Sequence, residues 1–110
     1  MNGFITENNK IDYRNCTKII ELGKRPIDTI DDYVNWVHDW KDLHRELVEA
    51  IQTFRAAKDQ AKADGNQLLC NTVWWRKIQL RSYARMMYEL RTDRKQALHN
   101  QQFKQLENAA

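Results

Sequence analysis

Asp64-Gly65-Asn66 and the run that follows it, Gln67-Leu68-Leu69-Cys70-Asn71-Thr72-Val73-Trp74-Trp75 onward, decide the fold. An Asp-Gly-Asn triplet is a strong turn signal, because glycine and asparagine tolerate the left-handed backbone that a reversal needs. From Asn66 to about Glu107 neither glycine nor proline occurs, so nothing breaks a helix there. Leu69, Val73, Leu80, Tyr83, Ala84, Met87, Leu90 and Leu98 recur at helical spacing and predict a second long helix over 66–107.

Upstream of the turn, Asp28 or Thr29 caps a first long helix over 28–64. A side-chain oxygen there accepts an orphan backbone N–H, and Asp31 and Asp32 suit the positive end of the helix dipole. Ile30, Tyr33, Val34, Val37, Trp40, Leu47, Ile51, Phe54 and Ala61 follow close to a 3-4 heptad seam. His44 and Lys58 each take a slot of that seam, and Trp36, Leu43 and Ala50 widen it. Two long helices joined by a short turn must lie antiparallel.

Before them, Tyr13, Cys16, Ile19 and Ile20 share one face of a short helix, for which Gly23 is a natural stop, reinforced by Pro26. A small hairpin of Phe4-Ile5-Thr6 against Ile11-Asp12-Tyr13, turning at Asn8-Asn9, is an alternative for the lead-in. The expected fold is all-α: an antiparallel hairpin of two long helices with a short N-terminal helix in segment 1–25, all one domain over 1–110. Two copies could pair into a four-helix bundle.

Composition agrees. In 110 residues there are only 3 glycines and 1 proline, too few for the turns of a sandwich or barrel. With 42% hydrophobic residues and 4 tryptophans, the chain is too apolar to stay disordered. No run of about 18 apolar residues occurs, as a membrane span needs. The first residues lack a basic stretch and an apolar core, so no signal peptide is expected. Cys16 and Cys70 have no metal-ligand or redox spacing, and free thiols in the cytoplasm are expected.

Charge is unevenly placed. Residues 1–66 carry ten basic and twelve acidic side chains, a net of −2, whereas 67–110 carry eight and three, a net of +5. On the second long helix the core face centres near 330°, stepping 100° per residue from Val73. Trp74 then falls at about 100°, Ile78 at about 140°, Trp75 at about 200° and Met86 at about 220°. One partner helix cannot cover that arc. Either the N-terminal helix packs there, or another subunit does, or the surface is a binding site. Lys77, Arg81, Arg85, Tyr88, Thr92 and Lys95 share the Trp74 side, and Arg76, Arg91 and Arg94 flank the core. Cations beside aromatics suit nucleic acid, since they neutralise phosphates while the rings stack on unpaired bases. A solvated charged face is the simpler alternative.

Catalytic motifs are absent, and three glycines cannot build a phosphate-binding loop. His38 and Asp42 share a helix face near Asp39 and His44, but no Glu-x-x-His pair completes a bundle metal site. Asp31/Asp32 and Glu46/Glu49 are explained by helix-start electrostatics and basic neighbours. Cys70 sits near a helix start, yet Leu68 and Leu69 beside it favour burial over nucleophilic chemistry. No cofactor and no metal is expected. The sequence therefore predicts a non-enzymatic helical binding protein of adaptor or inhibitor type, a profile common among proteins of phages and mobile elements. It would dock on a larger protein or protein–nucleic-acid machine through Trp74, Trp75, Lys77, Ile78, Arg81, Arg85, Tyr88 and Lys95. The alternative is direct DNA or RNA binding by the same strip.

Overall fold

The structure, a computed structural model, describes residues 2–109, and side chains for residues 2–102. Three helices follow in order: α1 (Tyr13–Lys24), α2 (Ile30–Ala63) and α3 (Gln67–Ala109). The long helices pack against each other as a hairpin, and the molecule measures 68 × 20 × 15 Å. Its radius of gyration is 18.3 Å, against about 13 Å for a compact domain of this length.

Local chemistry sets the helix ends. Thr29 caps α2: its side chain accepts from the Asp32 N–H, while Asp32 reaches back to the Thr29 N–H, so two orphan donors are satisfied reciprocally. Gly65 turns the chain at φ 73°, and the Asn66 side chain accepts from the Leu69 N–H to start α3. Gly23 does not stop α1, which runs one residue past it. Arg25 ends the helix with ψ 127°, because a residue before proline is driven out of the helical region. Glycine at 23 serves packing instead: a Cβ there would meet Leu90 Cδ2 at 2.9 Å.

The lead-in is a minimal hairpin. Ile5 and Ile11 form a single antiparallel bridge, and among the described residues no strand extends it. Phe4 and Ile11 are buried, and the segment is tied to α2 where the Glu46 carboxylate accepts from the Gly3 N–H at 2.5 Å.

The core corrects the expected seam. Trp36, Trp40, Leu47, Ala50, Phe54 and Ala61 are the buried residues of α2, whereas Ile30 and Val34 are exposed. The N-terminal segment and α1 occupy one flank of α2 and α3 the other, so the inward direction lies between them. That turns Trp36 and Ala50 from the edge of the stripe to its centre. On α3, Cys70, Val73, Leu80 and Met87 are buried, and Leu69 is exposed near the turn, where no helix lies over it. Tyr13 and Ile20 of α1 are likewise exposed. Both cysteines are free and buried, Cys70 despite its exposed neighbours Leu68 and Leu69. Among the described residues, no helix is long and apolar enough to cross a membrane.

Candidate functional site: the free flank of the third helix

α1 covers one side of α3. Tyr13 donates to Gln79, Gly23 abuts Leu90, and the Cys16 thiol and the Tyr83 hydroxyl act on each other's pKa. Desolvation pushes the Cys16 pKa up and outweighs the opposing effect of the neighbouring Tyr83 hydroxyl. The tryptophans lie outside this cover. Trp74 is 39% and Trp75 61% exposed, their rings meeting edge to face at 4.8 Å. Ile78, half-buried, joins Arg81, Ser82 and Arg85 in a shallow open groove on the same flank. Met86 sits at the margin, in a second groove with Tyr13 and Gln79.

The arginines of α3 divide into two sets. Arg76 donates to the Asn9 carbonyl at 2.9 Å, Arg94 donates to the Gly23 carbonyl, and Arg91 lies 4.7 Å over the Trp40 ring. These three hold the fold together. Arg81 and Arg85 are exposed, and among the described residues no ion pair includes any side chain of α3.

Tyr88 is exposed yet anchored. It meets Trp40 at 5.6 Å and His44 at 5.0 Å, both edge to face, and His44 stacks on Trp40 at 4.6 Å. His44 is thus held by aromatic stacking. Burial and the Arg91 charge keep its pKa below the ordinary histidine value. Lys77 is half-buried and Lys95 exposed. The predicted residues therefore fall on two adjoining surfaces: Trp75, Ile78 and Arg85 on the outer flank, and Lys77, Tyr88 and Lys95 toward α2, with Trp74 and Arg81 on the border they share.

One contribution was missed in the sequence. The Lys77 ammonium is pushed below the ordinary lysine pKa by desolvation first, then by Lys58, Arg81 and Arg55. Arg55 and Lys58 belong to α2, in the half with net negative charge, and only antiparallel register brings them to Lys77. Among the described residues, no group of three His, Cys, Asp or Glu is placed to hold a metal ion. A groove of about 640 Å³ between α1 and α2 is open and lined by mixed charges, including Arg25 paired with Asp39 at 2.5 Å.

Compared with protein-family models, with curated proteins and with solved structures, the chain gives no match in any of the three.

Proposed function

We propose that this chain is a non-enzymatic helical docking protein, of adaptor or inhibitor type, that acts on a larger protein or protein–nucleic-acid machine in the cytoplasm. The observation that carries this reading is the exposed Trp74–Trp75 pair on a flank that neither α1 nor α2 covers. Tryptophan and arginine dominate interface energetics once desolvated, and Ile78, Arg81 and Arg85 adjoin the pair. A rigid helix face also loses little conformational entropy on binding.

The charge favours an acidic partner over a second copy. A two-fold antiparallel pairing of α3 centred at position 83 would set Arg81 of each copy against Arg85 of the other, and like charges across an interface cost several kcal/mol. Sedimentation should accordingly show a 13.2 kDa species.

The test is affinity capture from the native host, with nuclease treatment and mass spectrometry. Trp75→Ala and Arg85→Glu, each folded by circular dichroism, should lose the captured partner, by about 30-fold or more in affinity for a hot-spot tryptophan. Capture unchanged by both substitutions removes the reading.

A further inference from the structure

The hairpin has a broad face on the side away from α1, and it is basic on both helices. Along α2, Lys41, His44, Arg55 and Lys62 recur on one side at spacings built from steps of three and four. Along α3, Trp74, Lys77, Arg81, Tyr88 and Lys95 do the same. The two rows meet at one end where His44 touches Tyr88, and at the other where Lys58 and Arg55 act on Lys77.

At that second end, Lys58 and Lys77 occupy seam positions. Lys58 lies one turn from Phe54 and just before Ala61, and Lys77 lies between Val73 and Leu80. Both are half-buried. Two ammonium groups brought together with Arg55 and Arg81 repel. Asp59, 3.5 Å from Lys58, is the one acid among the groups acting on Lys77. A hairpin gains nothing in stability from this arrangement, and a bound polyanion would offset its cost.

We propose that this face binds the backbone of a single-stranded nucleic acid, with Arg55, Lys58, Lys77 and Arg81 on the phosphates and Trp74 stacked on an unpaired base. The cations come from both helices, so both helices must lie on the ligand. Two helices side by side span roughly 20 Å, wider than the major groove of about 12 Å, which disfavours duplex reading. Lys77 and Arg81 are one turn apart, about 6 Å of helix rise, comparable to the spacing of successive phosphates on an extended strand. This face shares Trp74 and Arg81 with the outer flank, while Arg55, Lys58 and Lys77 belong to it alone and Trp75 and Arg85 to the flank alone.

Fluorescence anisotropy with labelled oligo(dT), oligo(U) and a duplex of equal length, at 50 and 200 mM NaCl, tests it. Four neutralised phosphates give a log–log salt slope of about −2.8, which is roughly a 50-fold loss of affinity over that range. Arg55→Ala with Arg81→Ala, both exposed positions, should halve the slope to about −1.4 while circular dichroism stays unchanged. Trp74→Ala should weaken binding roughly 5-fold or more, and Trp74→Phe should restore most of it. Absence of binding at 50 mM overturns the proposal. So does affinity unaltered by the double variant, equal affinity for the duplex, or equal competition by polyglutamate, which would assign the face to an acidic polypeptide.

Discussion

The two ends of the hairpin are built differently. Where α1 and the lead-in lie, Phe4, Ile11, Ile19, Leu22, Trp36, Trp40 and Met87 pack into one cluster, and among the described residues each buried side-chain nitrogen or oxygen has a partner. Trp36 Nε1 donates to the Leu22 carbonyl at 2.9 Å, and Trp40 Nε1 to the Met87 carbonyl at 2.8 Å. Near the turn, α2 and α3 have only each other. Their seam there holds Phe54, Ala61, Cys70 and Val73, interrupted by Lys58 and Lys77. Arginines of α3 divide around the helix instead: Arg76, Arg91 and Arg94 bind carbonyls or a ring, and Arg81 and Arg85, on the exposed side, form no ion pair among the described residues. The first end spends its chemistry on stability. The second leaves charge and aromatic surface uncommitted, as a binding surface requires.

Substitutions can break or sharpen this contrast. Trp36→Ala should have the largest effect, about 3–5 kcal/mol in urea denaturation, because it empties the aromatic cluster and leaves the Leu22 carbonyl only the long 3.4 Å bond from the Arg25 N–H. If it costs less than about 1 kcal/mol, the covered end is not the stable one. Arg94→Ala should cost about 1.5 kcal/mol through loss of the charged donor to the Gly23 carbonyl. The matching Arg85→Ala should leave stability within about 0.5 kcal/mol, and an equal loss in both would erase the distinction between the two sets. Lys77→Met should act in the opposite direction, raising stability by about 0.5–1 kcal/mol by restoring an apolar seam position. A fall in melting temperature would show that the lysine stem already packs well.

The smallest effect concerns pH. His44 has a folded pKa below the ordinary 6.5, caused by burial and then by Arg91. The unfolded chain therefore takes up this proton more readily. The stability contribution is complete above about pH 6.5 and is lost as pH falls through the lowered folded value. Proton NMR should place the His44 midpoint below 6.5, and a midpoint above it would reverse the sign.

Much of the architecture could be read from the chain. Asp64-Gly65-Asn66 marks the reversal, and the breaker-free stretch after it is one helix, Gln67–Ala109, within a few residues of expectation. The α2 cap is legible from Thr29 and Asp32 because capping is local chemistry. The seam was harder. Periodicity identifies an apolar stripe, but its centre depends on how many neighbours the helix has, and α1 shifted it toward Trp36 and Ala50. The candidate flank was visible as an arc too wide for one partner. Sequence did not reveal that α1 would leave Trp74 and Trp75 open by covering Gln79, Tyr83 and Leu90 instead.

The sequence by itself determined helix number, order, caps and the reversal, since each follows from residues within about one turn of each other. It also determined that the second half is basic and rich in aromatics. Tertiary structure alone decided which cations are spent on the fold and which are free. Arg76, Arg91 and Arg94 look like Arg81 and Arg85 along one helix, but only the first three find carbonyls or a ring across it. It also brought Arg55 and Lys58 to Lys77. Charges close in space act on each other through distance, not chain order, and a hairpin places near one another residues that the sequence holds some 20 positions apart.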